Sequence, residues 1–180
     1  DQIVLERLHL PDKKVNIDNW EEFVGSVKNP EERVEIALCG KYIEHMDAYK
    51  SIMESFVHAG AENKCKVVVR PISAEAIENE LVDKLLDGVS GILVPGGFGE
   101  RGIEGKIKAV QYARENDIPF LGICLGMQCA VIEFARNVCE LKDADSTEFN
   151  AETEFPIIFK LRDLVNVEEL GGTMRLGAWD

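Results

Sequence analysis

The sequence predicts an α/β protein with a mostly parallel, doubly wound sheet and helices on both faces. Two observations lead to this fold class. From Val34 onward, short apolar runs rich in β-branched residues alternate with amphipathic segments. This β-α-β-α order, with right-handed crossovers, builds a parallel sheet that helices cover on both sides. A chain of 180 residues, of which 46% are hydrophobic, has room for one such domain and a modest appendage.

The strands are predicted from apolar runs that are too short for helices. Four of these runs lie in the first two thirds of the chain, and a fifth predicts a late strand after a polar stretch. They cover residues 34–39, 66–70, 91–95, 118–123 and 155–159.

The helices are predicted from apolar residues that recur at helical spacing between the strands, so that each helix has one apolar stripe. A further helix is predicted over residues 127–132, directly after the fourth strand. The three stripes are Ile52, Phe56 and Ala59; Ile77, Leu81 and Leu85; and Ile103, Ile107 and Val110.

Residues 1–33 are polar and irregular, and we interpret them as a linker that leads into a domain formed by residues 34–180. Asp18 is placed to cap a short helix of one or two turns, with Glu21 completing a capping box. The chain begins with Asp1 rather than Met and has no signal-peptide pattern. We therefore expect it to be an internal piece of a longer protein.

The composition argues against nucleic-acid and membrane partners. The 20 basic and 33 acidic residues give a net charge of −13, which repels phosphates and anionic lipids. No stretch approaches the roughly 18 uninterrupted apolar residues of a membrane helix. The five cysteines contain no C-x-x-C pair, and the three histidines lie far from them. We therefore expect a cytoplasmic protein with neither a disulfide framework nor a bound metal.

The strongest chemical signal is Cys124, which lies between two glycines where a buried strand gives way to a helix. The segment 122–126 (GICLG) fits the nucleophile-elbow pattern, in which a strained turn exposes the nucleophile above the sheet. A helix N-terminus favours the thiolate over the thiol. A free cysteine is more often a small buried hydrophobic residue. We therefore expect the other four cysteines to be buried hydrophobic residues without a chemical role: Cys39, Cys65, Cys129 and Cys139.

A glycine-rich loop, residues 95–102 (PGGFGERG), follows the third predicted strand. The loop satisfies the G-x-G-x-x-G pattern of dinucleotide-binding proteins. That pattern belongs to the first strand-to-helix turn of a domain, whereas this loop follows the third strand, so it is weak evidence for a dinucleotide site. Neighbouring strands of a parallel sheet end in one crevice, so the loop is expected to face Cys124. The backbone N–H groups of Gly97 and Leu125 would then form an oxyanion hole.

Together these motifs resemble the class I glutamine amidotransferase domain of the CTP synthase family. The cysteine elbow alone marks the wider class, whereas the glycine loop and the late glycine motif are more specific. The resemblance runs from about Val34 to the end, and residues 1–33 resemble the linker from a synthetase domain. It rests on segments 94–99 (VPGGFG), 101–102 (RG), 104–106 (EGK), 122–128 (GICLGMQ) and 171–177 (GGTMRLG).

The resemblance implies a role for each candidate site residue. Cys124 would attack the side-chain amide of L-glutamine, form a glutamyl thioester and release ammonia. Gly97 and Leu125 would supply the oxyanion-hole amides, and Gln128 and Glu148 would hold the amino-acid end of the substrate. Without the resemblance, Glu148 would be a solvated loop carboxylate and Gln128 an ordinary helix residue.

The resemblance also implies partners outside this sequence. The ammonia would pass to a synthetase domain of the same chain, which uses ATP and Mg²⁺ to activate UTP and aminate it to CTP, a ligase reaction of pyrimidine biosynthesis. No cofactor is expected in the glutaminase domain itself. The full-length enzyme is expected to be a homo-oligomer.

The sequence departs from the family in one respect. In members of this class a downstream histidine activates the cysteine, and a glutamate two residues later orients that histidine, in a His-Pro-Glu stretch. No such stretch is present up to Asp180. We expect the C-terminal part of the domain to lie beyond Asp180, and the 180-residue fragment alone to be inactive. Two alternatives stay open: another cysteine-elbow α/β hydrolase, and a non-catalytic regulatory or assembly domain.

Overall fold

The computed structural model describes residues 2–11 and 16–159. The predicted family motif at 171–177, with Arg175, lies outside the described residues. A single turn of 3-10 helix at Met46–Tyr49 precedes the third α-helix. In chain order the helices and strands are α1 (Gln2–Arg7), α2 (Asp18–Lys28), β1 (Glu32–Gly40), α3 (Lys50–Glu62), β2 (Cys65–Ser73), α4 (Ala74–Asn79), α5 (Val82–Leu86), β3 (Gly91–Val94), α6 (Ile103–Glu115), β4 (Phe120–Gly122), α7 (Leu125–Asn137), β5 (Ala144–Ser146) and β6 (Phe155–Ile158).

The described chain divides into two compact units. The first holds the described residues up to Val34 together with Tyr49–Val68, and the second holds Glu35–Ala48 and the described residues from Val69 onward. The predicted linker, residues 1–33, falls in the first unit, and the predicted site residues all fall in the second.

In the first unit, the predicted short capped helix is longer than expected. Helix α2 has 11 residues, about three turns, and α1 was not predicted. Asp18 is not the cap: it opens the helix itself, and Ile17 takes the cap position without a side-chain hydrogen bond. The Asp18 N–H is bound by Asn16 Oδ1 at 2.8 Å, so Asn16 fixes the start of the helix.

The predicted parallel sheet is confirmed. The strand order is β2-β1-β3-β4. Strands β1 and β3 pair in parallel from Ile36 opposite Gly91 to Leu38 opposite Leu93, and β3 and β4 also pair in parallel. The order reverses between β1 and β3, and a ligand crevice is expected at the carboxyl ends of the strands at such a reversal.

Burial on the central strands shows that both faces of the sheet are covered. Ala37 and Ile92 point into one apolar cluster with Ala109 of α6. Leu38 and Leu93 follow them in sequence and therefore point to the opposite face. Both are also buried. This is the pattern of a sheet with helices on both sides, as predicted.

The predicted stripe Ile77, Leu81 and Leu85 does not form one helix. The chain breaks into α4 and α5 because Glu80 and Leu81 are extended, with ψ angles of 173° and 112°. Leu81 is 63% exposed, while Ile77 and Leu86 are fully buried. The spacing was right for a helix, but the break turns Leu81 away from the core.

The late strand predicted from Phe155 is confirmed as β6, and it pairs in parallel with β5 in a separate two-stranded sheet. Strand β5 was not predicted because Ala144, Asp145 and Ser146 lack an apolar pattern. All three residues are nevertheless buried. No helix in the described ranges is both long and apolar enough to cross a membrane.

An ion pair joins α6 to α7. The Arg114 guanidinium donates to the Glu133 carboxylate through Nη2 at 2.8 Å and through Nε at 3.0 Å. Glu133 is 1% exposed, and Asn137 Nδ2 donates to the same carboxylate at 3.0 Å. The charge of Arg114 and these hydrogen bonds compensate for the cost of burying the carboxylate.

Replacing Arg114 by Gln should therefore destabilise the second unit. The buried Glu133 carboxylate would lose its counter-charge, which costs roughly 3 kcal/mol in free energy of unfolding. Urea denaturation measures the change. The matched control is Lys64→Gln, which removes a pair with Glu31 in which both side chains are about two-thirds exposed and should change stability by less than about 1 kcal/mol. Equal effects of the two variants would contradict the prediction.

Candidate active site

Cys124 lies between β4 and α7, and it is solvent-exposed. It occupies the cap position of α7 with φ 52° and ψ −106°. A positive φ is unusual for a residue with a side chain, and such strain is concentrated at functional sites. This is the geometry expected of a nucleophile elbow, in which the side chain is exposed where strand turns to helix.

The two glycines that flank Cys124 allow this turn. A Cβ atom on Gly122 would lie 2.5 Å from the backbone carbon and oxygen of Gly126. A Cβ atom on Gly126 would overlap the carbonyl oxygen of Val94 in β3. Only glycine therefore lets the first turn of α7 pack this closely against the ends of β3 and β4.

The glycine loop after β3 reaches the same turn. A Cβ atom built on Gly96 would lie 3.5 Å from Cys124 Cβ, and one built on Gly97 would lie 3.5 Å from Leu125 Cδ2. Within the described residues, neither the Gly97 N–H nor the Leu125 N–H donates a hydrogen bond. Both predicted oxyanion-hole amides are thus free to bind a ligand next to Cys124.

Two lysines flank the glycine loop. Lys41, just after β1, donates to the Phe98 carbonyl at 3.3 Å. Lys106 of α6 is only 2% exposed, and its Nζ lies 3.8 Å from the place of a Cβ on Gly97. Burial lowers the pKa of Lys106 more than any neighbouring charge raises it. An ammonium here would stabilise negative charge that develops near the Gly97 amide.

The candidate substrate-binding residues occupy different positions. Glu148 lies in the turn after β5, and its Oε1 accepts a long hydrogen bond, 3.5 Å, from the Gly99 N–H. Gln128 follows Cys124 by one turn of α7, its side chain is half-buried, and its N–H donates to the Cys124 carbonyl at 3.1 Å. The glycine loop therefore touches both the Cys124 turn and Glu148. No hydrogen bond of the Gln128 side chain is formed within the described residues.

Among the described residues, no histidine forms a hydrogen bond with the Cys124 thiol. His58 stacks on Phe23 within the first unit, at 5.0 Å between ring centroids. His45 is exposed, and its backbone N–H donates to the Tyr42 carbonyl. Across residues 2–11 and 16–159, no cluster of three or more histidine, cysteine or acidic side chains is suited to a metal ion.

Comparison with known proteins agrees with this geometry. The family described as Glutamine amidotransferase class-I matches residues 44–177. The chain belongs to this family. The match includes the glycine loop, Cys124 and Glu148 of the amidotransferase.

The curated relatives of this amidotransferase chain are CTP synthases. The CTP synthase of Caldanaerobacter subterraneus subsp. tengcongensis is 55% identical over 99% of this chain and 33% of its own length. That of Methanocaldococcus jannaschii is 53% identical over 99% of this chain and 34% of its own length. The chain thus spans about a third of the length of the curated relatives it matches.

A solved structure is also similar. It is the glutaminase domain of Trypanosoma brucei CTPS with bound acivicin, at a TM-score of 0.68 and 40% sequence identity. The match covers 74% of this chain and 52% of that chain. The amidotransferase chain is therefore similar to this glutaminase domain in fold as well as in sequence.

Sequence reasoning missed the lysines. In the sequence, Lys106 is part of the family segment 104–106 (EGK) and was given no role of its own, although it lies beside Ile107 on the apolar stripe of α6, where a charged residue is unexpected. That position was the available signal. Lys41 has no comparable signal, because its contact with Phe98 joins positions 57 residues apart.

The cysteines differ in burial, which leads to a prediction about their reactivity. Burial raises the pKa of Cys39 to about 12 and that of Cys129 to about 11. Both therefore stay protonated, and unreactive, at pH 8. Cys65 is half-buried, and Cys139 is exposed, which corrects the expectation that Cys139 is a buried hydrophobic residue.

Limited alkylation at pH 8 should therefore modify Cys124 before the other four cysteines, because it is exposed and lies at a helix N-terminus. Peptide mapping by mass spectrometry measures the order. A Cys139→Ser variant removes the exposed competitor, and labelling in urea, where all five cysteines should react, is the control. Labelling of Cys129 at the rate of Cys124 would contradict the prediction.

Proposed function

We propose that this chain is the glutaminase part of a CTP synthase, and that it hydrolyses L-glutamine to glutamate and ammonia. The observation that carries the proposal is the position of Cys124. It is an exposed cysteine in a strained turn, beside two N–H groups that are free within the described residues. The family match and the likeness to a glutaminase domain with bound acivicin support it.

The chemistry proceeds in two steps. The Cys124 thiolate attacks the side-chain amide carbon of glutamine, and the Gly97 and Leu125 amides bind the oxyanion that forms. The intermediate collapses to a glutamyl thioester as the C–N bond breaks, and the leaving nitrogen takes a proton and departs as ammonia. Water then hydrolyses the thioester to glutamate and frees the thiol. A histidine base and an orienting glutamate, which the family resemblance implies, would move the protons.

Glu148 and Gln128 hold the amino-acid end of the substrate in this proposal. The Glu148 carboxylate is an acceptor for the α-ammonium group of glutamine, and it lies next to Gly99 in the loop that carries Gly97. A single loop thereby sets the distance between the charged end of the substrate and its reacting amide. The domain needs no cofactor for this reaction.

The rest of the reaction belongs to the longer protein. We propose that the ammonia passes to a synthetase domain of the same chain, which uses ATP and Mg²⁺ to activate UTP and forms CTP for pyrimidine biosynthesis. The longer protein would act in the cytoplasm as a homo-oligomer. The identity to CTP synthases over 99% of this chain supports these assignments.

Replacing Cys124 by Ala in the full-length protein should abolish glutamine-dependent CTP formation and leave ammonia-dependent formation intact. The substitution removes the nucleophile of one domain and does not touch the other. Steady-state assays with glutamine or ammonium as nitrogen source measure both activities. Equal loss of both, with folding intact, would contradict the division of labour, and unchanged glutamine-dependent activity would favour a non-catalytic domain.

Two substitutions at Gly97 test the oxyanion hole. A single Cβ there meets Leu125 and Lys106 at ordinary contact distances, 3.5 and 3.8 Å, so Gly97→Ala fits. The two further methyl groups of Gly97→Val would displace Leu125, whose N–H is the second donor. Loss of one donor lowers turnover by about 10²–10³, so we expect that loss for Val and a much smaller one for Ala. Near-normal turnover of Gly97→Val would place the oxyanion hole elsewhere.

A further inference from the structure

Arg136, in the last turn of α7, forms hydrogen bonds with three residues on two other elements of the second unit. Its Nη1 donates to both oxygens of Glu104, at 2.9 and 3.1 Å. Its Nε donates to the carbonyl oxygen of Ala144 at 2.7 Å. Its Nη2 donates to Asp145 Oδ2 at 3.0 Å. One guanidinium thus joins α7 to the first turn of α6 and to β5.

The bonds continue from Asp145 to the turn that carries Glu148. The second oxygen of Asp145 accepts the Ser146 N–H at 2.8 Å. Ser146 Oγ then accepts the Glu148 N–H at 3.2 Å, and the Ser146 carbonyl accepts the N–H groups of Phe149 and Asn150, each at 3.0 Å. The turn therefore follows the position of Ser146, which is held by the Asp145 carboxylate and by the pairing of β5 with β6.

Burial strengthens the ion pair between Arg136 and Asp145. The side chains of Arg136 and Asp145 are 18% and 13% exposed, so water screens their interaction much less than it screens a surface pair. Without Arg136, the Asp145 carboxylate would lose its counter-charge in a mostly buried place and would turn towards solvent. The Ser146 N–H would then lose its acceptor, and the Glu148 turn would keep only the pairing of β5 with β6 to hold it in place.

Arg136 is too far from Cys124 to take part in the chemistry. The two residues are 12 positions apart, about 18 Å along a helix at 1.5 Å per residue. A residue at that distance acts on the reaction only through the parts it holds. Here those parts are α7, whose first turn follows Cys124, α6, which follows the glycine loop, and the Glu148 turn.

We propose that Arg136 is a positioning residue for substrate binding, which holds the Glu148 carboxylate at a fixed place relative to Cys124 and the glycine loop. This inference rests on the proposed glutaminase function, in which Glu148 binds the α-ammonium group of glutamine. Its effect is on the binding of glutamine rather than on the chemical step. A displaced Glu148 carboxylate would lie farther from the α-ammonium group, and the attraction between the two charges falls with distance.

The experiment compares Arg136→Gln with wild type in the full-length protein. We expect the KM for glutamine to rise roughly tenfold, which corresponds to about 1.4 kcal/mol, while kcat changes by less than about threefold. Arg136→Lys keeps the charge, but its single ammonium nitrogen cannot replace the three guanidinium nitrogens that reach Glu104, Ala144 and Asp145, so an intermediate KM is expected. Glutamine affinity of the same variants in a Cys124→Ala background, measured by calorimetry, gives a second readout without turnover.

Arg114→Gln is the matched control. Arg114 also joins α6 to α7 through a carboxylate, Glu133, but within residues 2–11 and 16–159 no chain of hydrogen bonds leads from that pair to the Glu148 turn. Its loss should lower stability and leave the KM for glutamine unchanged. A purely structural role for Arg136 would make the two variants alike, with lower stability and unchanged KM, and that result would overturn the inference.

A double-mutant cycle with Glu148→Gln tests the route of the effect. If Arg136 acts through Glu148, the double variant should have the KM of Glu148→Gln alone. If the two effects multiply, Arg136 acts by another route and the inference is wrong. A full-length wild type that neither binds nor hydrolyses glutamine would overturn the proposed function itself, whereas an active wild type with an unaffected Arg136→Gln variant would overturn this inference alone.

Discussion

The first turn of α7 packs against the ends of β3 and β4 so closely that neither Gly122 nor Gly126 has room for a Cβ atom. This close approach determines the rest of the site. It forces the chain through a positive φ at Cys124, which exposes the thiol, and it brings the Leu125 N–H beside the glycine loop. A side chain at either glycine would move the helix away from the sheet and separate Cys124 and the Leu125 N–H from the glycine loop.

The chain as a whole is acidic, but two lysines lie beside the glycine loop. The net charge is −13, but the glycine loop lies between Lys41, which binds the Phe98 carbonyl, and the buried Lys106. Local fields at a site depend on the nearest charges and their burial more than on the total. Two lysines beside the glycine loop therefore favour negative charge there, in spite of the net negative charge of the chain.

The sequence predicted what depends on local pattern. The strands from Val34 and Gly91, the apolar stripe of α6 and the turn at Cys124 all follow from spacing and from glycine chemistry. It did not predict what depends on contacts between distant positions. Strand β5 is polar in sequence and is held by pairing with β6, and Leu81 is exposed because the chain breaks beside it. The Arg136 contacts with Glu104 and Asp145 have no sequence signal, since an arginine near a helix C-terminus is ordinary.

The backbone at Cys124 also bears on how this protein can evolve. A residue with a side chain at φ 52° costs of order 1–3 kcal/mol that a glycine would not, so the fold would be more stable with glycine in place of Cys124. Selection for stability alone would remove the cysteine, and selection for activity must retain it. In related proteins that no longer need the activity, we would therefore expect position 124 to change to glycine or asparagine, with a gain in stability.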